Sequence, residues 1–506
     1  MSNHFFDTIR QSAAPAESLF LTTETGARLT YGGLMDRSAQ LANVLAALGV
    51  KKGDRVAVQT QKAVDCLTLY LACLRAGAVY LPLNIAYTPA EIAYFAGDAE
   101  PRLFVCDPGG RDGIAAALAA MPELRIETLD PAGGGSLQKL ADAAGKDFAD
   151  IAVGADDLAA ILYTSGTTGR SKGAMLTQDN LASNAEALVD AWRFTGDDVL
   201  LHVLPIFHTH GLFVATNTVL LAGASMLFLH RFDLDTALSL LPRATAMMGV
   251  PTHYSRLLSR ADFDRDLVGH MRLFISGSAP LSAEIHKAFS ARTGHAILER
   301  YGMTETGMNT SNPYAGERRP GTIGFPLPGV ELRITDADTG AVLPEGEIGI
   351  IEVRGRNVFK GYWRNAEKTA EEFRDDGFFI TGDLACIDAE GYVTIVGRDK
   401  DLIITGGFNV YPAEVEAVLD ACPGIAESAV IGVPHSDFGE GVTAIVAAKS
   451  GARIDEAQIS ALLAAELAAF KRPKQIITVD ALPRNSMGKI QKNLLRDQYR
   501  DLYAAP

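Results

Sequence analysis

Between residues 54 and 107 short β-branched runs alternate with alanine- and leucine-rich stretches, a pattern that crossover-built folds accommodate and most others do not. "DRVAVQT" (54–60) reads as a strand, "AVDCLTLYLACLRAG" (63–77) as a helix closed by glycine, and "AVYLPLN" (78–84) as a strand. "TPAEIAYFAGDAEP" (88–101) opens with a capping hydroxyl and a proline at the first helical position, and "RLFVCD" (102–107) returns as a strand. Strand, helix, strand in succession implies a largely parallel, buried sheet. "DPAGGGSLQKLADAAGKD" (130–147) is small and polar and reads as a surface excursion.

The texture changes near residue 340. "VELRITDADTGAVLPEGEIGIIEVRG" (330–355) and "GYVTIVGRDKDLIIT" (391–405) read as β-hairpins of a barrel-like subdomain. A compact α+β pattern follows: helix 412–421, strands 426–434 and 442–449, helix 455–470. A chain of 506 residues exceeds one hydrophobic core, so the expected fold is α/β with a large N-terminal domain (1–399) and a small, mobile C-terminal domain (400–506).

Hydrophobic residues at 48% exclude wholesale disorder, and a net charge of −15 argues against a nucleic-acid surface and for a monomer or small oligomer. Five scattered cysteines without a CxxC pair suit free thiols in a reducing cytoplasm, and the start lacks a secretory pattern. "GLFVATNTVLLAGASMLFL" (211–229) is uncharged, but its polar residues and "AGAS" break suit a buried helix and strand better than a membrane span.

In "ILYTSGTTGRSKGAML" (161–176) a strand-like run leads into Gly166, Gly169 and Gly173, with Thr164, Ser165, Thr167 and Thr168 as hydroxyl donors and Lys172 as a mobile charge. Backbone N–H groups can approach a phosphate closely there, so the segment reads as a cradle for a nucleoside triphosphate. The spacing is not that of a P-loop. A flexible Ser/Thr/Gly linker is the alternative, and the neighbouring strand and helix argue against it.

With "SGSAPL" (276–281), "RYGMTET" (300–306), "TGDL" (381–384), "GRDKDLIITGGFNVYPAEVE" (397–416) and "LPRNSMGKIQK" (482–492), that segment resembles, in order, the signatures of the adenylate-forming superfamily. The resemblance implies two half-reactions. ATP and a carboxylate give an acyl-adenylate and pyrophosphate, and a thiol, usually CoA, then displaces AMP, with Mg2+ as cofactor. It further implies that Thr164, Ser165, Gly166, Thr167, Thr168, Gly169 and Lys172 hold the outer phosphates. Ser276, Gly277, Ser278, Ala279 and Pro280 would frame the adenine, with Tyr301 stacked on it and Gly302 beside it. Thr304 would bond the α-phosphate, Glu305 with Thr164 would hold the metal, and Asp383 near Arg398 would take the ribose hydroxyls. Lys489 would reach both the substrate carboxylate and the α-phosphate, where a protein lysine acetyltransferase could silence it and a deacetylase restore it. Lys400 matches the hinge, and Gly406, Gly407 and Phe408 the pantetheine channel. Taken singly, Asp383, Glu305 and Lys489 would read as solvated surface charges.

Arg300, next to Tyr301, lies close to the expected reacting centre, and a buried guanidinium calls for an anion. That anion is either a protein acid such as Glu299 or a substrate carboxylate. "PIFHTHGL" (205–212) brings His208, Thr209 and His210 to the family's acyl site, with His208 a catalytic candidate. Together with 299–314 and 317–331 these segments resemble malonate-activating ligases. That resemblance assigns Arg300 to the distal carboxylate of malonate, with Thr209 and Met308 beside C2, where methylmalonate carries its methyl. A ligase for another short or aromatic acid, or an adenylation enzyme loading a carrier protein, are the alternatives. No nucleic-acid or membrane partner is expected.

Overall fold

The computed structural model describes residues 2–164, 171–405, 408–435, 438–452, 454–467, 469–485 and 488–503. The strands expected in the first third form a six-stranded sheet. Arg55–Gln59, Val79–Pro82, Leu103–Cys106, Arg125–Thr128 and Leu158–Thr164 run parallel, and Lys172–Thr177 folds back antiparallel on the last of them. The helix Val64–Ala76 is buried on every face and ends at Gly77, whose φ of +66° allows the chain to reverse. Pro89–Ala99 begins with the expected Thr88 cap and first-turn proline, and Glu91 completes a capping box.

A second sheet of nine strands has a parallel centre formed by Leu19–Thr23, Ser225–Phe228, Val199–His202, Ala246–Gly249, Leu273–Ser276 and Leu298–Met303. Antiparallel strands, including Gly307–Ser311, close its edges. Residues 211–229 behave as expected, with one addition. A wide π-helical segment His210–Thr216 precedes the helix Asn217–Ala222, which Gly223 ends before the strand Ser225–Phe228. Among the described residues no helix is long and apolar enough to cross a membrane.

The barrel-like layer expected after residue 330 is a four-stranded antiparallel sheet of Val330–Thr335, Gly349–Gly355, Phe379–Ile387 and Val393–Arg398. The expected 391–405 hairpin does not form. Val393–Arg398 pairs with Phe379–Ile387, whereas Ile403–Thr405 joins the next sheet, because the turn Asp399–Asp401 redirects the chain between two layers. The 130–147 excursion is also corrected. It contains the helix Ser136–Asp142, anchored by buried Leu137 and Ala141 and by Gln138, whose side-chain oxygen accepts from the Asp130 and Gly135 N–H groups.

One apolar core runs through the first three sheets, joining Val56, Ala160, Leu200, Leu298, Ile351 and Phe379. The chain from Ile403 builds a five-stranded sheet around cores of its own, with Val415, Val446 and Leu463 on one face and Ile431, Leu482 and Leu495 on the other. In the nine-stranded sheet His202 and Ser276 stand at the carboxyl ends of parallel strands, where open α/β sheets gather ligands.

Candidate active site

A cavity of about 510 Å³ opens at that edge, and several separate segments line it. The strand Leu298–Met303 and the residues after it supply Arg300, Gly302, Thr304 and Glu305; Thr164 and Lys172 come from the six-stranded sheet; Lys489 comes from the last segment.

At one end of the cavity, where the acyl site was expected, Arg300 is 4% exposed, and neither its Nε nor its Nη2 has a hydrogen-bond partner among the described residues. Burial lowers its pKa only to about 9, so the guanidinium is charged at neutral pH. The pairing with Glu299 is not made, because consecutive strand residues face opposite sides of a sheet. Glu299 instead accepts from the Leu281 N–H at 3.2 Å, and burial raises its pKa to about 8. Gly277 makes room for the guanidinium: a Cβ there would lie 2.4 Å from Arg300 Cζ. Thr209 Oγ1 and His210 Nε2 are likewise buried without partners among the described residues, while His210 Nδ1 lies 3.1 Å from the Ser278 hydroxyl. Burial first, then the charge of Arg300, lowers the pKa of His208 to about 4. Its Nδ1 accepts from the His210 N–H, leaving Nε2 as the N–H donor. Met308 lines the same end, and the Asn184 side chain bonds both its N–H and its carbonyl.

Behind the cavity wall buried Tyr301 donates its hydroxyl to Asp383 Oδ2 at 2.6 Å, and Arg398 Nε meets Asp383 Oδ1 at 3.0 Å. Lys489 is held by a tight turn: its N–H donates to Asn485 Oδ1, and the Asn485 N–H donates to its carbonyl. Burial, then Arg398, lowers the Lys489 pKa to about 8. Ser276 and Gly277 are buried beneath the wall, Ser278 reaches the cavity with a φ of +70°, and Ala279 and Pro280 continue toward the surface.

At the opposite end the buried Glu305 carboxylate accepts from Thr164 at 3.3 Å and from Tyr362 at 3.2 Å through the same oxygen. A carboxylate and a hydroxyl, both hard oxygen donors, fit a magnesium ion. Burial raises the Glu305 pKa, which a bound cation would oppose. Lys400 lines this cavity too. Ser165, Gly166, Thr167, Thr168, Gly169, Gly406 and Gly407 lie outside the described residues. Phe408 is not in the cavity wall; it is 56% exposed and stacks on Phe470 at 4.7 Å. Sequence reasoning missed Tyr362, Asn184, Lys368 and Glu372, which stand outside the six signature segments. A second cleft of about 470 Å³, lined by Gln61 and Asp107, contains none of the expected site residues.

Residues 9–363 match the AMP-binding enzyme family, and residues 414–489 match the AMP-binding enzyme C-terminal domain. The chain belongs to the AMP-binding enzyme family. This AMP-binding enzyme superposes on ATP-bound MatB from Rhodopseudomonas palustris with a TM-score of 0.97 at 61% identity, over 99% of this chain and 100% of that one. Apo MatB from the same organism, at equal identity and coverage, gives 0.86, so the arrangement seen here is nearer the ATP-bound form. The AMP-binding enzyme is 32% identical to a malonate–CoA ligase of Arabidopsis thaliana, over 98% of this chain and 84% of that protein. It is 37% identical to a feruloyl-CoA synthase of Amycolatopsis sp, over 94% of each.

Proposed function

We infer that this AMP-forming acyl-CoA synthetase is a malonate–CoA ligase, turning malonate, ATP and CoA into malonyl-CoA, AMP and pyrophosphate. The observation that carries this reading is the charged Arg300 guanidinium, buried at the acyl end with Nε and Nη2 unmatched. A monocarboxylate has no charge left once it is adenylated, whereas malonate keeps one to offer that fork. A feruloyl-type aromatic acid would leave Arg300 buried without a counter-charge, at a cost of about several kcal/mol.

In the first half-reaction one malonate oxygen attacks the α-phosphorus and the bond to pyrophosphate breaks. Lys489 and Thr304 hold the charge that develops there, and the neutral His208 offers an N–H to the acyl oxygen. Ser278 and Gly302 face the adenine from the cavity wall, Ser276, Gly277, Ala279, Pro280 and Tyr301 build the wall behind them, and Asp383 beside Arg398 takes the ribose. Residues 164–172 take the outer phosphates. Glu305 and Thr164 would hold Mg2+, which offsets the negative charge of the triphosphate. In the second half-reaction the CoA thiolate adds to the acyl carbonyl and AMP leaves with the bonding electrons. Rotation of residues 400–506 about Lys400 exchanges Lys489 for Gly406, Gly407 and Phe408, and the two MatB scores support such a rearrangement. Acetylation of Lys489 would stop adenylation by removing its charge. The buried free thiols support a cytoplasmic enzyme, and the net charge of −15 a monomer.

The test is AMP formation with malonate, methylmalonate, succinate, acetate and benzoate, each with and without CoA. Malonate should lead, with methylmalonate accepted, because a pocket discriminates one methyl by only about 1–3 kcal/mol. Arg300→Ala should cut malonate turnover about 100-fold and leave ATP affinity nearly unchanged. Unaltered malonate turnover in that variant would remove the assignment.

A further inference from the structure

The helix Ala366–Glu371 and the residue after it bring Lys368 and Glu372, which no step above uses, to the end of the cavity where Lys172 stands. Lys368 Nζ lies 3.0 Å from Glu372 Oε1 and 2.9 Å from the exposed Glu371 carboxylate, and Lys172 Nζ lies 3.4 Å from that same Glu372 oxygen. The other oxygen of Glu372 accepts from the Tyr362 hydroxyl at 2.6 Å, and this hydroxyl also reaches Glu305, the carboxylate suited to the metal. Lys400 lines the same cavity, and burial first, then the charges of Lys368 and Lys172, holds its pKa below the ordinary value.

The cluster is firmly built. Asn365 caps the helix by accepting from the Lys368 N–H at 3.1 Å. The Thr369 hydroxyl ties the helix to Tyr362 by accepting its N–H at 2.9 Å. The side chains of Lys172, Lys368 and Glu372 are 15%, 28% and 21% exposed, so none is an ordinary solvated surface charge.

Two ammonium groups converging on one anionic oxygen form the environment a phosphate oxygen seeks, and here a carboxylate fills it. We propose that Lys368 is a further binding residue for the outer phosphates of ATP and for pyrophosphate, and that Glu372 is the internal anion that exchanges with them. The proposal rests on the ligase reading above. An arriving triphosphate carries more charge than one carboxylate and draws Lys172 and Lys368 away from Glu372. Once the α–β bond has broken, Glu372 competes with free pyrophosphate for both lysines and hastens its departure.

The experiment measures the KM for ATP, the KM for malonate and the inhibition constant of pyrophosphate in acid-dependent AMP formation. Lys368→Ala should raise the KM for ATP and the pyrophosphate constant about tenfold and leave the malonate KM within about twofold. Lys368→Arg should restore most of the affinity. Glu372→Gln should act in the opposite sense and tighten pyrophosphate inhibition, a result that simple loss of packing would not give. Melting temperatures check that each variant is folded, and Lys368→Gln replaces the alanine variant if that one is not. Unchanged ATP and pyrophosphate constants in Lys368→Ala, or weaker pyrophosphate inhibition in Glu372→Gln, would overturn the proposal. If the wild type forms AMP with no acid, the ligase reading fails by itself. Calorimetric titration of wild type and Lys368→Ala with ATP then still decides the role of Lys368.

Discussion

At Arg300 burial still leaves the guanidinium charged at neutral pH, whereas Lys489, with a pKa near 8, stands close to losing its proton. The ammonium form is the one that stabilises negative charge, and it predominates below that value. Adenylation, followed as pyrophosphate release, should therefore fall about tenfold per pH unit above roughly pH 8. Lys489→Arg, whatever its residual rate, should lose this alkaline limb, since guanidinium stays protonated throughout the range. A limb that persists in that variant would assign the titration to another group. Both residues were legible from their motifs as single charges. Their pKa shifts were not, because desolvation depends on what distant segments pack around them.

The strand Leu298–Met303 turns adjacent residues into opposite environments, one charged and facing the cavity, the other acidic and facing the loop that follows Ser276. Gly277 belongs to that same arrangement. Gly277→Ala would drive a methyl into the guanidinium, so the malonate KM should rise about tenfold or more, well ahead of any rise in the ATP KM. Steady-state kinetics with each substrate varied in turn would show the split. Glu299 has a folded-state pKa of about 8, above the ordinary carboxylate range, so the folded chain keeps a proton that the unfolded chain releases. Its contribution to stability is therefore intact at low pH and declines as pH rises toward 8. Glu299→Gln should gain melting temperature relative to wild type between pH 5 and pH 8, as a thermal scan at both values would show. Capping and alternation announced the helix Pro89–Ala99 and the parallel strands well before any packing was known. The helix Ser136–Asp142 was hidden because its glycine-rich approach masked two short turns with buried side chains.

Across the whole molecule Lys489 lies within electrostatic reach of Arg398 and Asp383 although 91 and 106 residues separate them in the chain, as their numbers show. Such a meeting can be undone by moving the last segment, whose cores are separate from the main one. Lys489→Ala should thus abolish malonate-dependent pyrophosphate release yet spare thioester formation from supplied malonyl-adenylate. Equal loss of both steps would contradict that division of labour.

Residue order alone announced the crossover sheet, the signature segments and an arginine beside Tyr301 whose anion stayed open, because periodicity and motif spacing are local properties. Only the folded molecule decided that Arg300 Nε and Nη2 have no hydrogen-bond partner among the described residues, that residues 393–398 and 403–405 belong to different sheets, and that Lys368 and Lys172 share a carboxylate. These are matters of burial and of contact between remote segments. Hydrogen bonding and desolvation act through space, and sequence spacing carries no record of which partners space will supply.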